Sequence, residues 1–149
     1  MQTLVVIDMQ SAYSAYKRAL NGVRVEIEQA IFERRPIVLV EFHSYAIKYP
    51  NKTTVKSIRN LLKDYDYAYY TPKYEVDGSS QIHKCHLKHR RYNFTGFDLC
   101  GVNTCHCVGD TAKGLIKLGY NVSVLRNACA CTCIKECKIQ PYHQFTEAA

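Results

Sequence analysis

The chain has 149 residues, 47% hydrophobic and 22% charged, with a net charge of +7 and eight cysteines. This is enough chain for one domain, 1–149, to build a core without disulfide or metal staples. No apolar run approaches the roughly 18 residues of a bilayer span, so a membrane protein is not expected. The start, Met1-Gln2-Thr3, carries no basic region or cleavage site, and a cytoplasmic location is the default expectation. The basic residues are scattered apart from the cluster Lys84 to Arg91, and no nucleic-acid motif accompanies it, so nucleic-acid binding is not expected as the main function.

Leu4-Val5-Val6-Ile7 is a β-branched run stopping at Asp8, the pattern of a strand buried on both faces. A helix is predicted from about Ser11 to Glu33, with Asn21-Gly22 as a break or join. Pro36 precedes a second buried run, Ile37 to Phe42, and a helix follows over Thr53 to Lys63, with Val55, Ile58, Leu61 and Leu62 on one side. Asp66 to Thr71 reads as a third strand ended by Pro72. After the turn at Asp77-Gly78, Ser79 or Ser80 caps a helix reaching about Arg91. Phe94 to Cys100 is a fourth strand, Thr104 to Leu118 a fourth helix ended by Gly119, and Asn121 to Leu125 a fifth strand.

Strand and helix alternate throughout, which predicts a three-layer α/β/α, Rossmann-like fold with a mostly parallel sheet of five or six strands. Ligands of such sheets sit beyond the carboxyl ends of the strands, where strand order reverses. Asp8 ends the first strand, Lys73 follows the third and Cys107 follows the fourth. Residues far apart in sequence should therefore meet at one edge, which points to an active site.

The cysteines crowd the second half: Cys85, Cys100, Cys105, Cys107, Cys129, Cys131, Cys133 and Cys137. Without a secretory context a disulfide framework is not expected, and zinc-type pairs spaced by two residues are absent. Cys129, Cys131 and Cys133 alternate and would share one face of an extended segment. Small apolar filling of a strand end is preferred over a thiolate cluster there.

The segment Cys100-Gly101-Val102-Asn103-Thr104-Cys105-His106-Cys107-Val108-Gly109-Asp110-Thr111-Ala112 resembles the signature of the isochorismatase-like cysteine hydrolases, which include nicotinamidases and related amidases. Ile7-Asp8-Met9-Gln10 resembles their amino-terminal motif. The continuation Gly119 to Val124 and Asn127-Ala128-Cys129 also matches, with Asn127 where an Asp is usual. The spacing from Thr104 selects Cys107 rather than Cys105.

The resemblance implies that Cys107 is the nucleophile, Asp8 its proton acceptor and Lys73 a support for both charges. It also implies a non-proline cis peptide at Val102-Asn103, shaping an oxyanion hole. On physical grounds a helix dipole and Lys73 would favour the Cys107 thiolate and make it the fastest cysteine to alkylate, although a carboxylate at Asp8 opposes this. Tyr13 stands where the family puts an aromatic against the substrate; a helix residue packing on the sheet is the structural alternative.

Nicotinamidases bind a metal through an Asp-x-His pair and a later His. Here Glu41-Phe42-His43 occupies the place of that pair, and the next His is His83. His86, His89 or His143 could complete a site, but nothing in their spacing says so. No metal or cofactor is therefore expected, and His43 is assigned to the pocket lining or a loop cap.

The expected activity is hydrolysis of an amide-type C–N bond in a small molecule through a thioester, since family members that cleave isochorismate characteristically lack the cysteine. Two other readings stay open: a catalytically silent binding module, and a thiolate-metal protein built on Cys129, Cys131, Cys133 and Cys137. Family members commonly form dimers or tetramers, so a homo-oligomer is a weak expectation.

Overall fold

The computed structural model describes residues 2–89 and 96–133. The first residues of the fourth predicted strand, Arg90 and Arg91, Cys137 and His143 lie outside them. Five strands and four helices alternate: β1 (Thr3–Ile7), α1 (Tyr16–Phe32), β2 (Ile37–Phe42), α2 (Lys56–Leu62), β3 (Ala68–Lys73), α3 (Ser79–Lys88), β4 (Gly96–Val102), α4 (Gly109–Lys117) and β5 (Asn121–Ala130), with a π-helical turn, Thr104–Val108, leading into α4. All strand pairs are parallel, in the order β3-β2-β1-β4-β5. The order reverses between β1 and β4, so their carboxyl ends flank the crevice where such sheets take ligands.

The central strands are buried on both faces, as their continuous apolar runs require. Leu4, Val6, Ile37, Leu39, Cys100 and Val102 share one core cluster with Ala19, Val23, Ile27 and Ala30 of α1. Val5, Ile7, Val38, Val40, Phe97 and Leu99 share the other with Ile82 of α3 and Ala112 and Leu115 of α4. No helix among the described residues is long and apolar enough to cross a membrane.

Several boundaries differ from the sequence-based expectation. Asn21-Gly22 neither breaks nor joins helices, because α1 runs unbroken from Tyr16 to Phe32. The residues from Ser11 to Ala15 form turns instead of a first helical stretch. Beyond Phe32 the chain turns at Arg34, whose φ of 55° and N–H bond to Ile31 O, with Arg35 N–H to Ala30 O, make a Schellman cap ahead of Pro36. Pro72 does not end β3: it lies inside the strand opposite Glu41. A proline is tolerated there because β3 is an edge strand and needs no outward N–H donor. β5 continues past Leu125 to Ala130, across a register shift opposite the Leu99–Gly101 stretch of β4.

Gly22 has a packing reason. A Cβ there would lie 2.0 Å from the Asn127 carbonyl oxygen, because the backbone of α1 rests directly on β5. A helical glycine exchanged for alanine usually gains about 1 kcal/mol. Here the sign reverses: Gly22→Ala should destabilise by about 1–3 kcal/mol, through displacement of α1 from β5, measurable as a lower urea midpoint. An unchanged or raised midpoint would contradict the contact.

Candidate active site

Asp8 is the first residue beyond β1, with φ of 51° in the left-handed region, and only 1% exposed. Its N–H donates to Val40 O (2.9 Å), so the chain leaves β1 still tied to β2. Gln10 fixes the turn that follows. Its Nε2 donates to Phe42 O (3.1 Å) and Lys52 O (2.9 Å), and its Oε1 accepts from Phe42 N (2.8 Å). Sequence reasoning placed Gln10 in a motif but gave it no task; the structure makes it the pin between the end of β2 and the loop carrying Asp8.

Lys73 is the last residue of β3, paired in register with Phe42, and its side chain is fully buried. The ammonium lies 3.0 Å from Asp8 Oδ2, donates to Val76 O at 2.7 Å and stands 5.0 Å from the Phe42 ring centroid. Cys107 sits in the π-helical turn after β4. Its thiol lies close enough to the Asp8 carboxylate and to Lys73 for both to act on it electrostatically. The structure thus brings Asp8, Lys73 and Cys107 together from three strand ends. Of the three, Cys107 keeps the largest exposed fraction, 8%.

The turn begins at the Val102–Asn103 peptide, which is cis. Gly101 immediately before it has φ of 116°, and a Cβ there would meet Ile7 O at 2.0 Å. This close approach lets β4 deliver the turn beside Asp8. The Asn103 carbonyl accepts from His106 N (3.1 Å) and Val108 N (3.2 Å), and Asn103 Oδ1 accepts from Thr132 N (3.2 Å).

No family model and no curated relative matches the chain. Solved structures do. A nicotinamidase from Staphylococcus aureus superposes with a TM-score of 0.76 at 18% identity, over 99% of this chain and 89% of that one. An isochorismatase family protein gives 0.76 at 15% identity, over 96% and 91% of the two chains. The MAR1 ribonuclease from Caenorhabditis elegans gives 0.76 at 18%, over 99% and 73%. The fold is that of the isochorismatase-like proteins. At these identities the likeness carries the fold, and the chemistry has to come from the side chains.

The electrostatics of the site bear on one expectation. Burial, then the Asp8 carboxylate, push the Cys107 thiol up to about 12, and Lys73 offsets only part of this. Asp8 is itself raised, because burial outweighs the help of Lys73, Cys107 and their hydrogen bonds. Burial thus acts on Cys107 in the opposite sense to the helix dipole and Lys73, which favour its thiolate. Cys131 behaves oppositely: burial raises it, but hydrogen bonds with Cys105 and Cys133 outweigh that and bring it down to about 6. Limiting iodoacetamide at neutral pH on metal-free protein should accordingly label Cys131 well before Cys107, read by peptide mapping. Cys107 labelled first would mean that its proton already resides on Asp8.

Tyr13 lies in the turns before α1 and stacks on Phe42, with centroids 6.5 Å apart and planes 11° from parallel. Burial first, then the influence of Asp8 and Cys107, raise its hydroxyl pKa. His43 follows β2, bonded through its N–H to Lys73 O at 2.9 Å, and meets the rings of Tyr49 and Tyr74 edge-on, each at 6.4 Å. Of these rings, Phe42 reaches the ammonium of Lys73, and Tyr13 is stacked on Phe42.

Glu41 and His43, the pair singled out in the sequence, are engaged with protein groups. Glu41 Oε2 accepts from Thr54 N at 2.5 Å, and its Oε1 is 3.4 Å from His43 Nε2. Among the described residues, the one group of three possible ligands with mutually close donor atoms is Cys105, His106 and Cys133, which includes neither Glu41 nor His43. Two donors, one already engaged by a backbone amide, are too few for a zinc centre. The expected filling role for the late cysteines holds only for Cys129, which packs half-buried against both cores. Cys131 and Cys133 lie beyond the end of β5.

Proposed function

We propose that the chain is a cysteine hydrolase that cleaves the C–N bond of a small amide through a thioester. The observation that carries this reading is the buried Asp8–Lys73 ion pair, with the Cys107 thiol under the electrostatic influence of both members. A thiol at about 12 is a poor nucleophile alone, and a carboxylate aimed at its proton supplies what it lacks. As Cys107 Sγ attacks the amide carbon, Asp8 takes the thiol proton. The carbonyl oxygen becomes an oxyanion, which backbone N–H groups at the start of the helical turn after Val102–Asn103 would receive. Collapse breaks the C–N bond, and Asp8 returns the proton to the leaving nitrogen. Water then attacks the thioester with Asp8 again as base; the acid leaves, and the released thiolate recovers the proton from Asp8. Lys73 acts as a positioning residue that keeps Asp8 ionised between these transfers. Tyr13 and His43 line the substrate side.

The test is a screen of small amides, nicotinamide included, for ammonia release, with Cys107→Ala as control. Release that persists in the control, or the absence of release from any amide, would overturn the reading. The pH profile adds a signature. Asp8 must be ionised to accept the proton, and its raised pKa moves that requirement upward. The acid limb of kcat/KM should therefore fall at a pH above the ordinary carboxylate range near ~3.9. A limb at the ordinary position would assign the base to another group.

A further inference from the structure

The proposed hydrolysis leaves one reactive cluster unused. Cys105 and His106 belong to the π-helical turn, and Cys131 and Cys133 to the segment after β5. The donor atoms of Cys105, His106 and Cys133 all lie within 4.8 Å of one another, and Cys131 Sγ is 3.0 Å from Cys105 Sγ. His106 and Cys133 are exposed, so an ion can reach the group from solvent, while Cys105 and Cys131 are half-buried beneath.

The backbone already holds the two segments together. Thr132 N donates to Asn103 Oδ1 at 3.2 Å, and Arg18 donates through a guanidinium nitrogen to Cys131 O. Donors from positions separated by 26 residues are thus preassembled, and much of the loop-closure entropy of gathering ligands is met by folding itself.

We propose that Cys105, His106, Cys131 and Cys133 form a thiolate-rich metal site of the three-cysteine, one-histidine type, suited to Zn(II). Thiolate and imidazole donors select a borderline-soft cation over calcium or magnesium. Zinc bonds of about 2.3 Å to sulfur and about 2.0 Å to nitrogen set ligand atoms roughly 3.5–3.8 Å apart in a tetrahedron. Cys105, His106 and Cys133 already lie within 4.8 Å of one another and Cys131 Sγ is 3.0 Å from Cys105 Sγ, so side-chain rotation would bring the four donors to that spacing. On binding, each coordinating thiol gives up its proton to solvent, and Arg18 lies close to the resulting negative centre. The ion would fasten the end of β5 to the turn that carries Cys107. It would act as a clip and would not touch the scissile bond, so the inference stands independently of the amidase reading.

The test uses the full chain, reduced and stripped with a chelator, then titrated with Co(II) without oxygen. Expected are the visible bands of tetrahedral Co(II) with a thiolate charge-transfer band, saturating near ~1 equivalent and abolished by Zn(II). Cys105→Ser and Cys133→Ser should each weaken Zn(II) binding by more than the roughly 10-fold that loss of an outer-shell partner costs. Cys85→Ser, remote on α3, should leave it unchanged. If a serine variant does not fold, His106→Ala and the wild-type Co(II) spectrum decide. Three results would overturn the site: no tetrahedral thiolate spectrum, binding lost in Cys137→Ser but kept in Cys105→Ser, or a Cys105–Cys131 disulfide that persists through reduction and excludes the ion.

Discussion

Cys107→Ala should lower kcat/KM for whichever amide the chain cleaves by about 10⁴-fold or more, with the fold retained. The size follows from the mechanism: without the sulfur no thioester forms, and what survives is the binding and oxyanion contribution alone. The fold should survive because the change removes one atom from a residue that already reaches solvent, so any cavity is small. Circular dichroism and the urea midpoint check this. Cys107→Ser is the sharper comparison. Asp8 would remain in place, but a hydroxyl is a weaker nucleophile and shorter than the thiol, so activity should again collapse. Activity of Cys107→Ser near the wild-type level would point to Asp8 activating water directly and would remove the thioester from the mechanism.

What the sequence disclosed, and what it hid, has physical reasons. Val5, Val38 and Leu99 sit in strands with no polar face, and continuous β-branched and aliphatic runs of that kind have few alternatives once they alternate with amphipathic helices. The triad was legible for the same reason: a parallel sheet places Asp8, Lys73 and Cys107 on one edge wherever the strands are. Features set by close approach between distant segments were not legible. Gly22 looks like a helix breaker until β5 is laid against it, and Pro72 looks like a strand terminator until β3 proves to be an edge. For the reactivity of Cys107, helix dipole and lysine can be counted from sequence, whereas burial, the largest influence on that thiol, cannot. The pairing of Cys105 with Cys131 needs the register of β4 against β5, which includes a shift no residue pattern announces.

The Asp8–Lys73 pair should carry the largest stability effect in the molecule. Both side chains are buried, at 1% and 0% exposure, with 3.0 Å between Nζ and Oδ2. Lys73→Met fills similar volume but strands the Asp8 carboxylate in a dry site, and breaking a buried pair in this way costs about 3–5 kcal/mol. Asp8→Asn should cost less, because Lys73 keeps the Val76 carbonyl and the face of Phe42. The double variant Asp8→Asn/Lys73→Met removes both charges, and most of the loss should return, since a buried ion pair contributes little net stability over a neutral replacement. The pH dependence has a definite sign. Asp8 is raised in the folded protein, so its contribution to stability is present below the unfolded pKa and is lost as pH rises through the folded one. Removing Lys73 raises Asp8 further. The deficit of Lys73→Met should therefore be greatest at neutral pH and shrink on acidification as the carboxyl takes up a proton. Urea unfolding of the three variants at neutral and mildly acidic pH measures all of this. A deficit independent of pH, or a double variant as unstable as the sum of the singles, would show that Asp8 and Lys73 act separately and that the ion pair does not hold the site together.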